Sequence, residues 1–189
     1  MKKVTVVLMC FIIIFSFSGC SSKANFEKIE KGCEISGNVF ENKDMGIRIT
    51  VPSGEVFYTT SEIENEVYNS SNVEDDIYKK AKDGSFIFAY SSGMANSSDH
   101  YLCAMALKDK KSAEDFFKGY DETYSTVKDV TVESDSSKEK IGNIDFEKRV
   151  YSMKTGNLDI TTTIYYGFYD GMAINISYLG DGVVLESIK

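Results

Sequence analysis

Between Tyr101 and Leu107 the chain has no polar position to turn toward water. Tyr101, Cys103, Met105 and Leu107 alternate with Leu102, Ala104 and Ala106. Successive side chains on a strand point to opposite faces, so a strand here is apolar on both. Such a strand belongs in the middle of a sheet, and both faces of that sheet must be covered. The expectation is an antiparallel sheet flanked by helices on both faces, an α+β architecture.

The neighbouring segments supply strands and helices in a readable order. Val39 to Glu41 is a short strand, and Ile47, Ile49 and Val51 alternate with Arg48 and Thr50 in another, stopped by Pro52-Ser53-Gly54. Ser61-x-x-Glu64 has the form of a capping box, with Ile63 and Val67 one turn apart. Asn72 caps a second helix in which Val73, Ile77 and Ala81 share a face. Phe86 to Ser91 is a strand and Gly93 to Ser98 a polar loop. Ser112-x-x-Asp115 opens the clearest helix, with Phe116, Tyr120, Tyr124 and Val127 in one stripe. Val130 and Val132 mark one strand, and Ile144, Phe146 and Val150 another, with turns at Gly142-Asn143 and Gly156-Asn157.

The last hairpin carries a sharper expectation. Ile160, Thr162, Ile164, Tyr166 and Phe168 share one face, and Met172, Ile174, Ile176 and Tyr178 share another. A two-residue Asp170-Gly171 loop sets these faces on opposite sides of the sheet. A three-residue loop, Tyr169-Asp170-Gly171, pairs Phe168 with Met172 and brings them together, so a type I turn with a G1 bulge is predicted. Val183 to Lys189 reads as a short closing turn.

At the start of the chain, Lys2 and Lys3 precede an apolar run from Val4 to Phe17, too short to span a bilayer. The run ends in Ser18-Gly19-Cys20. Small residues before a cysteine resemble the bacterial lipobox, with Phe17 where that motif usually has Leu. The resemblance implies lipidation of Cys20 and cleavage before it. Residues 1-19 are then a signal peptide, residues 20-37 a lipidated cysteine with a flexible tether, and residues 38-189 a single folded domain. Two acyl chains such as palmitate hold a soluble domain on a membrane without a transmembrane helix. The expected location is the extracytoplasmic face of the cell membrane.

The formal charge is −8 over 189 residues, and −10 without residues 1-19, which hold two lysines and no acid. An acidic domain is a poor ligand for nucleic acid or for an anionic lipid surface, so attachment falls to the lipid. Arg48 and Arg149 are the only arginines, among many Lys, Asn, Ile and Tyr. That bias matches AT-rich codon usage and a Gram-positive source. With Cys10 in the signal and Cys20 lipidated, Cys33 and Cys103 remain. They either pair as a disulfide or stay unpaired, Cys103 as a core residue.

The strand ending in Ile49-Thr50-Val51-Pro52-Ser53-Gly54, the helix opening on Ser112-x-x-Asp115 and the Ile141-Gly142-Asn143-Ile144-Asp145-Phe146 strand together resemble the PsbP-like family. The resemblance implies an α/β/α sandwich on an antiparallel sheet, over about residues 38-189. Its members are mostly binding or assembly modules with no shared catalytic set. This chain lacks the Trp often found soon after the proline and offers Phe57 there.

Catalytic constellations are sparse. His100 is the only histidine, so a Ser-His-Asp or Cys-His site has to use it. Cys103 lies three residues on and points to the opposite strand face. One histidine and two cysteines do not make a closed zinc site without carboxylates. No metal, cofactor or catalytic residue is expected. Ser125-Thr126-Val127-Lys128 and Lys154-Thr155-Gly156 match S-x-x-K and K-T-G, but no S-D-N element lies between them.

Two groups are candidates for an interaction surface. Glu62, Glu64, Glu66, Glu74, Asp75 and Asp76 form an acidic stretch without a base. It is a docking face for a basic partner, or a set of acids favoured near helix N-termini. Tyr165 and Tyr169 fall outside the inner set of the last hairpin and are the aromatic candidates. The functional expectation is a lipid-anchored, non-enzymatic binding or assembly module with an unknown protein or small-molecule partner and no nucleic acid. The alternatives are a lipoprotein that binds a small molecule or cation and, last, a hydrolase using His100.

Overall fold

Every residue of Tyr101–Leu107 is buried, as a strand apolar on both faces requires. The computed structural model describes residues 26–63, 84–92, 101–108, 110–126, 131–155 and 158–188. In chain order they form α1 (Phe26–Lys31), β1 (Cys33–Ser36), β2 (Val39–Asn42), β3 (Ile47–Thr50), α2 (Thr60–Ile63), β4 (Ser85–Ser92) and β5 (Tyr101–Leu107). Then follow α3 (Ala113–Ser125), β6 (Thr131–Ile141), β7 (Ile144–Thr155), β8 (Leu158–Tyr169), β9 (Met172–Leu179) and β10 (Val184–Ser187).

The strands make two antiparallel sheets. The smaller runs β1-β2-β3-β10, and the larger runs β4-β5-β9-β8-β7-β6. β5 is interior to the larger sheet, and its two rows of side chains enter two separate cores. Leu102, Ala104 and Ala106 pack with Ile174 and Ile176 of β9 against Phe40, Ile47 and Ile49 of the small sheet. Cys103, Met105 and Leu107 face the other way, in the cluster that holds Phe116, Phe117, Tyr120 and Tyr124 of α3. The layers are therefore small sheet, large sheet and helix.

This corrects the expected fold class. The large sheet is not flanked by helices on both faces, and the chain is not an α/β/α sandwich: it is mostly strand, with three helices among the described residues. The requirement for cover on both faces holds, but a second sheet meets it on one side. Its strands are four residues each. β10 closes that sheet by pairing with β3 from Val184↔Thr50 to Ser187↔Ile47, where a closing turn was expected.

The fold also begins earlier than Asn38. Residues Phe26–Lys31 are helical, and Ile29 is buried in the core between the sheets. Asn42 explains the attachment. Its Nδ2 donates to the Ile29 carbonyl at 2.9 Å and its Oδ1 accepts from the Met45 backbone at 2.9 Å. One buried amide thus joins the end of α1 to the β2–β3 turn.

The β8–β9 hairpin has a two-residue loop. Tyr169 pairs with Met172, and Asp170 and Gly171 have φ of 46° and 79°, as in a type I′ turn. The predicted three-residue loop is wrong, and the two-sided cover is the reason. Ile164, Tyr166 and Ala173 enter the helix-side core, while Tyr165, Met172, Ile174 and Ile176 enter the core between the sheets. Opposed apolar faces are satisfied on both sides, so they do not have to coincide.

At its start the helix α3 follows the sequence closely. Ser112 Oγ accepts from Asp115 N at 3.1 Å, and Phe116, Tyr120 and Tyr124 are buried. In α2 the cap is Thr59 rather than Ser61: Thr59 Oγ1 accepts from Glu62 N, and Glu62 Oε2 accepts from Thr59 N at 2.7 Å. The expected Asn72 helix and Gly93–Ser98 loop lie outside the described residues.

Candidate functional site

A strand at the margin of a sheet has one row of backbone groups without a ladder partner, and proteins usually cover such rows. The large sheet has two margins, β4 and β6. β4 is covered. Tyr58 N donates to Tyr90 O at 2.9 Å, Ser91 Oγ donates to Val56 O at 2.9 Å, and Phe26 of α1 packs on Phe86 with ring centroids 5.8 Å apart. The β4 ladder is also broken by a bulge between Ile87 and Ala89.

Among the described residues β6 has neither protection. It pairs with β7 without a register shift over eleven residues, from Thr131↔Lys154 to Ile141↔Ile144. From Glu133 to Lys140 its side chains are exposed, apart from half-buried Glu139. At its end Gly142, at φ 58°, and Asn143 make a tight turn into β7. That turn is docked on the small sheet: Asn143 N donates to Met45 O at 2.9 Å and Asn143 Nδ2 to Asp44 O at 3.0 Å. The open edge is therefore long, regular and fixed at one end.

The side chains of β6 sort by sign. Cross-strand partners share a face, so Ile141, opposite buried Ile144, marks the small-sheet side. Glu139, Ser137, Asp135 and Glu133 follow on that side. Lys140, Lys138, Ser136 and Ser134 lie on the helix side, opposite Asp145, Glu147, Arg149 and Tyr151. One face of the edge is acidic and the other basic.

The strand behind the edge is held from both sides. On the helix side Arg149 Nη1 donates to Asp121 Oδ2 of α3 at 2.7 Å, Tyr151 OH donates to Asp121 Oδ1 at 2.9 Å, and the guanidinium lies 4.5 Å from the Phe117 ring centre. Burial, and next the bond to Asp121, push the Tyr151 phenol up. On the small-sheet side Lys148 Nζ donates to Glu139 Oε1 at 3.0 Å and lies 5.3 Å from the Tyr165 ring centre. Burial opposes the Lys148 charge, but its hydrogen bonds to Glu139 and Tyr165 outweigh that and raise its pKa.

Among the described residues, those singled out in the sequence are not brought together. Tyr165 is 4% exposed, a core residue between the sheets, and burial pushes its phenol up to about 12. Tyr169 is half-buried, and its OH donates to Asp44 O at 3.0 Å. Neither belongs to an open aromatic surface, because the side opposite the helix is covered by the small sheet. Glu62 is occupied in the α2 cap, and its hydrogen bonds to Thr59 lower its pKa. Cys20, Glu64, Glu66, Glu74, Asp75, Asp76 and His100 lie outside the described residues.

Cys33 and Cys103 are not joined. Cys103 faces α3 on the far side of the large sheet, whereas Cys33 packs against the core between the sheets and donates Sγ–H to Ile29 O at 3.1 Å. The sheet itself separates them. Among the described residues no group of three or more His, Cys, Asp or Glu is placed to hold a metal ion. Among them no helix is long and apolar enough to cross a membrane.

Apolar alternation does not reveal the β6 edge. Ser134 to Lys140 contains no apolar residue. The signal that was available is alternation of charge sign immediately before the Gly142-Asn143 turn. No protein-family model matches this chain, and no curated protein does.

Proposed function

We propose that this protein is a lipid-anchored module on the extracytoplasmic face of the cell membrane that binds a protein partner and catalyses no reaction. The observation that carries the reading is β6, an eleven-residue strand with one side paired and, among the described residues, the other open. An open strand is a template for an incoming strand, with main-chain hydrogen bonds giving affinity and alternate side chains giving selectivity. The charged-then-apolar start and Ser18-Gly19-Cys20 support the anchor.

Two measurements test this. Labelled palmitate should enter the wild-type chain and not Cys20→Ser, and the variant should leave the membrane fraction or stay unprocessed. Label in Cys20→Ser would sink the anchor. A photo-crosslinking residue at position 136, on the open edge, should trap one partner in intact cells. The same residue at Lys118, on α3, should not. Equal trapping at both positions, or none at 136, would refute the docking edge.

A second reading, a small-molecule site, is favoured by one atom. Asn175 Oδ1 on β9 is buried on the helix side of the large sheet without a hydrogen-bond partner. A buried carbonyl of this kind is satisfied by a ligand donor or an ordered water. A melting-temperature shift of several degrees with one envelope-derived ligand, lost in Asn175→Leu, would favour it.

A further inference from the structure

An edge strand protected against association is short, bulged, covered, broken by proline or lined with charge. β4 has two of these protections, and among the described residues β6 has only charge, so charge governs what pairs with β6. The pattern of that charge is informative. If two copies of β6 pair antiparallel about a two-fold axis, the axis is normal to the sheet. Residues facing each other across the seam then come from the same face. The acids of β6 all lie on one face and the lysines Lys138 and Lys140 on the other.

The consequence holds register by register. Centred on Glu133, Asp135, Lys138 or Glu139, the strand sets that residue against its own copy. Centred on Ser134 it sets Glu133 against Asp135. Centred on Ser136 it sets Glu133 against Glu139, and centred on Ser137 it sets Asp135 against Glu139. Each symmetric register centred from Glu133 to Glu139 thus contains a like-charged pair, which is destabilising when directly opposed. The edge rejects itself.

The same pattern accepts a strand of the opposite pattern. Lys138 and Lys140 lie opposite Glu147 and Asp145 of β7, and Asp135 and Glu133 opposite Val150 and Ser152. None of these four β6 residues takes part in an ion pair among the described residues. Acids arriving beside Lys138 and Lys140 would complete two rows of acid, lysine and acid across three strands. Basic residues arriving beside Asp135 and Glu133 would meet acids with no cation opposite them.

We infer that β6 docks an extended segment of a different protein, antiparallel, that reads acid-x-acid-x-x-basic-x-basic. The acids face Lys140 and Lys138, and the basic residues face Asp135 and Glu133. This rests on the reading of β6 as the docking edge and adds which partner it selects.

The test uses the mature lipoprotein in detergent and two fluorescent ten-residue peptides of one composition. One carries the stated order and the other has acids and bases exchanged. The first should bind about tenfold more tightly, the sum of four exposed opposite-charge pairs. The preference should reverse in the protein variant E133K/D135K/K138E/K140E, whose substitutions are on the exposed edge and leave the cores untouched. Equal binding of both peptides overturns the inference. So does a dimer in sedimentation that Ser136→Pro dissociates. If crosslinking from position 136 still traps a partner while the peptides show no preference, the charge rule is wrong and the docking edge stands. If neither is seen, both fall.

Discussion

Asn42 Nδ2 lies 2.9 Å from the carbonyl oxygen of Ile29, thirteen residues earlier, and both residues are buried. This contact makes α1 part of the domain. Gly32 leaves room for it, since a Cβ there would come within 2.9 Å of Asn42 Oδ1. Replacing Asn42 by Ala leaves the Met45 N–H buried without its acceptor, which costs about 2 kcal/mol. Urea unfolding should show the midpoint fall with the m-value unchanged. An Asn42→Ala protein of wild-type stability would mean that α1 is not docked as described.

Gly142 and Gly37 separate two costs that glycine avoids. Both have positive φ, 58° and 62°. At Gly37 an added Cβ meets nothing within 4 Å, so Gly37→Ala carries the conformational cost alone, about 1 kcal/mol. At Gly142 the Cβ would collide with the carbonyl oxygens of Met45 and Gly46, where the β6–β7 turn sits on the small sheet. Gly142→Ala should therefore cost more than Gly37→Ala by at least about 1 kcal/mol, from backbone displacement on top of the same φ penalty. Equal losses would show that the turn is not pressed against the β2–β3 turn.

Much of this fold was legible in the sequence. The double alternation of Tyr101–Leu107 implied a central strand with two covered faces, and both cores are present. Ile47 and Ile49 are buried, with Arg48 and Thr50 half-buried between them, as their alternation implied. What covers the second face was not legible. The small-sheet strands are too short to carry a periodic signal, and β10 contributes only half-exposed Val184 and Leu185. The hairpin register was misread for a linked reason. Apolar faces have to coincide only where one face of a sheet is wet, and this sheet has no wet face at Ile164 or Ile174. The candidate edge escaped because its information lies in charge order, which specifies a neighbour rather than a core.

The Cys33 thiol should be inert in the folded protein. Burial, opposed by its hydrogen bond with Asn42, pushes it up to about 11 from an ordinary value of 9.0. The folded chain therefore holds its thiol proton where the unfolded chain releases it. The stabilisation is complete below pH 9 and is lost as pH rises from about 9 to about 11. Iodoacetamide labelling of Cys33 at pH 8, followed by peptide mass mapping, should be slow in the native protein and fast in urea. Cys33→Ala should flatten the fall in stability between pH 9 and 11. Fast native labelling would place Cys33 outside the core.

Asp121 should matter more to stability than its surface position suggests. One of its oxygens takes Arg149 and the other takes Tyr151, so a single carboxylate fixes α3 to β7. Arg149 is 20% exposed, and its Nε is already buried without a partner. Asp121→Ala leaves the guanidinium half-satisfied and the phenol without its acceptor, and should cost about 1–2 kcal/mol after solvent screening. The pair Lys31–Glu27 is the control: it spans 3.9 Å with both side chains about four-fifths exposed, and Glu27→Ala should change stability by less than about 0.5 kcal/mol. The effect at Asp121 should shrink when Arg149 is already Ala, because the two share one network. If the two losses add, the helix is held by its Phe116 and Tyr120 stripe alone and the Asp121 network is incidental to the edge behind it.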